Sequence, residues 1–476
     1  MKLLVQDKLF RLILYCQVLV GFSFRQPGIG IVNPAHPFLL TSLFLFCLTR
    51  KKAPKVFGDN ASWIVILSFL TVLIISALIT LSQIEGTSAV RPVGVIVSLL
   101  SFLLFYYISS RVNRNIEKTS LFLNIFINVC LIHSGLTILD FLLHSLTGQS
   151  YFYLVLKGTL SALRFPNAEN LNDFNAGGRY KGLLVESGDV GDYVTPGLAA
   201  MFALLFFGKT RKLRSCLLKI ALMLSATIIC GSASALQEVI IVLNLSLLVF
   251  FSKFTSIGKL RKNQLFLSVA SYAFLGVMSA IATVSLLVYF KDYLPIFVQD
   301  RIYSILNYSA DSNSDSTTNL SVQVLINCYN AAIYTIYNSP LLGYGAGFFS
   351  IPFDRALEQM GSGFEVTLNR DDGYSMFLRL IGEGGIIGLL LFLSIFIARL
   401  SQVKNFIGIQ ILCKDSKEYS MPYSINEVVV MTFAAASSSL LHILLNKGSY
   451  WVPITPILLG LFVKSTFKSQ LLKGKP

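Results

Sequence analysis

A chain of 476 residues that is 54% hydrophobic and only 13% charged, with mean hydropathy +0.67, has too little polar surface for a soluble fold. Its net charge of +15 comes from short Lys and Arg clusters that flank apolar runs. No concentrated basic domain exists, which argues against a nucleic-acid partner. The expectation is an all-α, polytopic protein forming a single integral-membrane domain over 1–476, with the lipid bilayer around it.

About twelve apolar runs are long enough, or nearly so, to cross a hydrocarbon core of ~30 Å. They fall near 9–24, 36–49, 61–81, 92–110, 119–144, 191–208, 215–231, 236–252, 265–290, 374–398, 427–446 and 451–464. The first follows Lys2, Lys8 and Arg11, and FRQPGIG after it offers no small-residue cleavage site, so it reads as a retained helix. Basic clusters occupy alternate connections, and 27 of the 39 Lys and Arg collect on one side. By the positive-inside rule that side is the cytoplasm, with both termini in it. The two longest connections, 145–190 and 291–373, then lie on the outer face. The seven cysteines are scattered, five of them in apolar runs, and offer no disulfide framework.

The first long loop mixes aromatics (Tyr151, Phe152, Tyr153, Phe165, Phe174) with glycines and charges, which fits a half-embedded interfacial segment. In the second, apolar positions of LSVQVLINCYNAAIYTIYN recur at helical spacing and predict an amphipathic helix. Asp311, Asn313, Asp315 and Thr317 imitate the opening of a calcium loop, but Ser316 and Val322 replace its glycine and closing glutamate, so the stretch reads as linker. Asn338, Ser339 and Pro340 end the helix, and Gly343, Gly345 and Gly347 permit tight backbone turns. A polar, irregular surface loop is expected there. Arg370, Asp371 and Asp372 then precede an apolar run whose first turns carry Arg379 and Glu383, and charges so close to lipid usually face a water-filled cavity.

The outer-face arginines Arg164, Arg179, Arg301, Arg355, Arg370 and Arg379 are candidate ligands for a lipid diphosphate, since guanidinium groups hold phosphate through paired hydrogen bonds. Alternatively each pairs with an acid such as Glu186, Asp300, Asp354 or Asp372. His133, Asp140 and His144 share one helix face and line a cavity more readily than they bind metal, while His36 and His442 lack comparable company. Neither metal nor cofactor is expected. No P-loop, Gly-x-Ser-x-Gly or His-Glu-x-x-His sequence is present, so any energy would arrive in an activated substrate.

Three pieces resemble the O-antigen ligase and polymerase superfamily of bacterial inner-membrane glycosyltransferases: RYKGLLVES at 179–187, SPLLGYGAGFF with Arg301 upstream of it, and Tyr374-Ser375 preceding Gly385 and Gly388. The family's ligases carry a histidine where Tyr374 stands, so the resemblance favours a polymerase over a ligase. It implies transfer of a glycan from undecaprenyl diphosphate to a sugar hydroxyl, with Arg179 and Arg301 on the diphosphate and Arg164, Arg370 and Arg379 assisting. Gly343, Tyr344 and Gly345 would form the family's turn, and Tyr344, Phe348, Phe349 and Tyr374 can stack on sugars. The base could be Asp371, Asp372, Glu186 or Glu383. Implied partners are undecaprenyl-diphosphate-linked oligosaccharides and a chain-length co-polymerase. The rival readings are a ligase acting on lipid A core or protein, and a lipid-linked-oligosaccharide transporter.

Overall fold

The computed structural model describes residues 60–84, 89–112, 116–148, 187–207, 213–232, 320–360, 370–410, 423–447 and 454–461, with 180, 235, 237–240, 242, 285, 289 and 299 as isolated positions. Among the described residues the chain is all helical. Its helices are α1 (Asn60–Gln83), α2 (Val90–Val112), α3 (Ile116–Thr147), α4 (Ser187–Phe207), α5 (Leu213–Ile229), α6 (Leu320–Asn338), α7 (Ser350–Met360), α8 (Met376–Gln410), α9 (Ile425–Asn446) and α10 (Ile454–Leu461). Four stretches are long and apolar enough to cross a membrane: Ile64–Gln83, Thr119–Thr147, Met376–Ile395 and Glu427–Asn446. Val90–Leu100 and Val190–Phe206 are shorter apolar helices. The expected spans at 9–24 and 36–49, most of that at 236–252 and nearly all of that at 265–290 lie outside the described residues.

The surface carries the same message as the composition. Ile64, Leu67 and Leu78 on α1 are 63%, 57% and 60% exposed, and Leu142, Leu218 and Leu390 also point outward. Rows of large apolar side chains facing away from the protein suit acyl chains and would be a liability in water. Inside, Phe69, Phe102 and Phe392 join α1, α2 and α8, with the Phe69 and Phe392 rings 5.5 Å apart.

Small residues set the helix spacing, because lipid gives no hydrophobic drive for helices to associate and close contact must supply the attraction. At Gly197 on α4 an added Cβ would stand 2.6 Å from the Cys130 sulfur of α3. That thiol donates to the Tyr193 carbonyl at 3.1 Å. Pro196 has no N–H to give the Asp192 carbonyl one turn earlier, so α4 is loosened where it carries an acid. α9 starts on a capping box in which Ser424 Oγ accepts from the Glu427 amide and the Glu427 carboxylate accepts from the Ser424 amide. α4 packs along α9, α8 along α1, and α6 against both α7 and α8.

Candidate functional site

The site begins where the chain enters α8. Gly373 and Tyr374 both take left-handed backbone angles, with φ of 69° and 59°. Such a conformation strains any residue with a Cβ, so its presence at Tyr374 marks a constrained corner. Ser375 then caps the helix, its hydroxyl accepting from the Leu378 amide at 3.2 Å. A Cβ at Gly373 would press to about 3.0 Å from Arg379, so glycine leaves room for that side chain.

Arg379 Nε donates to Glu383 Oε1 at 2.9 Å, one helical turn on, and a terminal guanidinium nitrogen lies 3.6 Å from Asp372 Oδ1. Glu383 is wholly buried and Arg379 nearly so, whereas Asp372 keeps 37% of its side-chain surface. Glu383 Oε1 also accepts the Gly347 amide at 3.1 Å. A charge pair in an apolar span survives only when it is neutralised and hydrogen-bonded, and this one has two opposing carboxylates and a backbone amide around it.

The glycine turn differs from the surface loop that its composition predicts. Residues 343 and 345–350 are buried, wedged between α1 and α8. α8 breaks at Gly385, with φ 59° and ψ −161°, and the turn fills the break. The amides of Tyr344 and Gly345 donate to the carbonyls of Gly382 and Glu383 at 2.8 and 2.7 Å, while those of Ile386 and Ile387 donate to Pro340 and Leu341 at 2.9 and 3.3 Å. From α1, Ser76 and Thr80 hydroxyls donate to the carbonyls of Gly343 and Tyr344 at 3.0 and 2.5 Å, and Leu73 accepts from Ala346. Burying a polar backbone requires this accounting to close. It also requires no side chain at Gly345, where a Cβ would fall 2.2 Å from the Ala77 nitrogen.

Around this core lies a rim of ion pairs. Arg91 meets Asp371 at 2.5 Å and Ser350 at 3.4 Å, Arg355 meets Glu358 at 3.2 Å, and Arg370 grips Asp354 in a two-pronged pair whose Nε contact is 2.6 Å. Asp354 holds the Arg370 guanidinium even more firmly protonated than usual. Of the arginines expected to bind phosphate, Arg355, Arg370 and Arg379 therefore already have carboxylate partners. Burial beside Cys328 raises the phenol of Tyr374. It is a donor at neutral pH, not a base. Thus Gly343, Tyr344, Gly345, Arg370, Asp372, Tyr374, Arg379 and Glu383 meet in one place. Arg164, Arg179, Glu186 and Arg301 lie outside the described residues.

A second charged cluster corrects the reading of His442 as a histidine without company. Its two ring nitrogens contact Asp192 of α4 and Glu238 of the helical residues 237–240, and Lys447, just past α9, lies 3.5 Å from Asp192. All three of Asp192, Glu238 and His442 are buried. Along the same seam Thr195, Ser438 and Asn446 bury polar atoms that make no hydrogen bond among the described residues. The signal in the sequence is the Ser438, His442, Asn446 stripe, spaced by four residues on one face of α9, facing a lone acid in an apolar run. Nothing local announced that Glu238 joins them. On α3, His133 and Asp140 are buried, and His144 shares a 3.2 Å hydrogen bond with Tyr180. Among the described residues no three His, Cys, Asp or Glu side chains are arranged to hold a metal ion.

No protein-family model, curated protein or solved structure matches this chain.

Proposed function

We propose that the chain is a glycosyltransferase of the bacterial cytoplasmic membrane, a polysaccharide polymerase that joins oligosaccharide repeat units carried on undecaprenyl diphosphate at the outer face. The observation that carries this reading is the placement of Asp372: a part-exposed carboxylate at the mouth of a charged cluster, set against buried Arg379 and roofed by a glycine turn. In the proposed step, a sugar hydroxyl attacks the anomeric carbon of the donor chain. A new C–O bond forms as the bond to the lipid diphosphate breaks. The hydroxyl proton passes to Asp372, and the diphosphate leaves with its charge met by Arg179 and Arg301, which is electrostatic stabilisation of the developing anion. Glu383, locked between Arg379 and the Gly347 amide, is better suited to hold the turn than to move protons. Tyr374, half-buried and protonated, serves as a sugar-facing platform and donor. A co-polymerase that sets chain length fits the same reading.

The test is the glycan profile of a deletion strain complemented with the wild-type gene, Arg301→Ala or Asp372→Asn, at protein levels matched by blot. Single repeat units on their usual acceptor after deletion, with the long ladder restored by the wild-type gene alone, support the polymerase. Polymer accumulating on undecaprenyl diphosphate while the acceptor stays bare would make the chain a ligase. Lipid-linked units trapped on the cytoplasmic side would make it a transporter.

A further inference from the structure

The segment 320–349 belongs by sequence to a loop outside the membrane, yet it packs on two helices long and apolar enough to cross one. Cys328 of α6 shares a packed cluster with Tyr374 and Leu378 at the start of α8, and twelve residues later Pro340 bonds to Ile386, twelve residues past Tyr374. α6 therefore runs parallel to the first half of α8 and at the same depth. That half lies within the apolar stretch Met376–Ile395. The turn after α6 is tied to Leu73, Ser76 and Thr80 of α1, whose apolar stretch ends at Gln83. At ~1.5 Å per residue these anchors lie about 5 to 15 Å inside that end, of a hydrocarbon core ~30 Å thick.

We propose that α6 and the 339–349 turn form a re-entrant hairpin that dips about halfway into the bilayer, with the outer face of α6 against lipid acyl chains. Three further observations fit this occupant. α6 has no charged residue in its 19 positions. Of its exposed residues, Leu325, Tyr329 and Ile336 fall on one face, with Tyr337 and Asn338 also exposed in the last turn, and Leu341 beyond them continues into Ile386 and Leu390 of α8, which are exposed as a span's lipid face would be. The polar groups at the tip are satisfied from within: the Asn338 amide donates to the Tyr334 carbonyl at 2.9 Å and the Ser339 hydroxyl to the Gly343 carbonyl at 2.9 Å. Non-helical backbone at membrane depth is tolerated where protein buries it, and α1 and α8 bury this turn. The charged helix α7, with Arg355 and Glu358 exposed, would return the chain to the surface.

The chain contains two tryptophans, so an added one can be read by difference. The full-length protein is placed in phosphatidylcholine vesicles whose acyl chains carry bromine, with Leu325→Trp, Tyr329→Trp or Ile336→Trp introduced singly. Leu390→Trp is the control within a span and Arg355→Trp the control in water. The hairpin predicts that the three α6 variants lose as large a share of their added emission to bromolipid as Leu390→Trp does, and are spared by aqueous iodide, while Arg355→Trp behaves in the opposite way. Quenching of the α6 variants by iodide but not bromolipid would overturn the proposal in favour of a water-filled cleft. Protection from both would overturn it in favour of a protein cover. Neither result bears on whether the chain polymerises glycans, so the two readings fail separately.

Discussion

The chain buries two charged clusters in apolar helices, and they are built in opposite ways. Arg379 and Glu383 stand one turn apart on a single helix, and a neighbouring segment closes over them to supply the missing donor, the Gly347 amide. Asp192, Glu238 and His442 come from three separate elements, and the contacts that join them run between those elements. The first cluster can form as soon as α8 winds and needs the turn only for its roof. The second exists only once α4, α9 and the residues around Glu238 have assembled. One is therefore a local device reinforced by tertiary structure, and the other is a product of tertiary structure alone.

Substitutions can break that contrast. The largest effect is expected at Gly345→Ala, because a Cβ 2.2 Å from the α1 backbone, in a left-handed conformation, cannot be relieved by moving a side chain. We expect at least about 4 kcal/mol and little monodisperse protein by fluorescence-detected gel filtration. His442→Ala leaves two buried carboxylates facing a void and should cost about 3–5 kcal/mol in detergent thermal unfolding. Adding Glu238→Gln to it should recover part of that loss, since the repulsion then disappears. Failure of the second change to help would mean that the histidine is not the bridge between the acids.

Glu383→Gln keeps an acceptor for Gly347 but removes the charge beside Arg379, so we expect about 1–3 kcal/mol in the same assay, less than for His442→Ala because Asp372 still faces the guanidinium. An equal or greater loss would show that the local cluster is no better insured than the dispersed one. Arg91→Ala, removing a pair that is about half exposed on both sides, should cost at most about 1 kcal/mol. Smallest of all, Tyr374→Phe should leave the pH dependence of polymer formation near neutrality unchanged, because burial raises this phenol and it is protonated both there and below.

The helices were legible because hydropathy is a local property. The expected runs at 61–81, 92–110, 119–144, 191–208, 215–231, 374–398 and 427–446 each coincide with an observed helix to within a few residues at most ends, though α8 continues to Gln410. The amphipathic helix before Asn338 is present as well. What the sequence obscured was depth. Gly343, Gly345 and Gly347 read as a solvated loop because glycine-rich, irregular backbone normally needs water, and only the carbonyls and hydroxyls of α1 and α8 remove that need here. The convergence of Arg379, Glu383 and the turn could be anticipated from their order. His442 could not be matched to Asp192 and Glu238, which stand 250 and 204 positions away in sequence, because no periodicity relates residues on different helices.

The break at Gly385 also has a bearing on how the protein is made. α8 is a helix with a gap in its own hydrogen-bond ladder, and the carbonyls that fill the gap belong to Pro340 and Leu341. Those residues leave the ribosome before Ile386 and Ile387 do. When α8 reaches the membrane, the segment that completes it has already been synthesised and can be waiting beside α1. Insertion of this span is then less a partition of one apolar helix into lipid than the joining of a later piece to an earlier one.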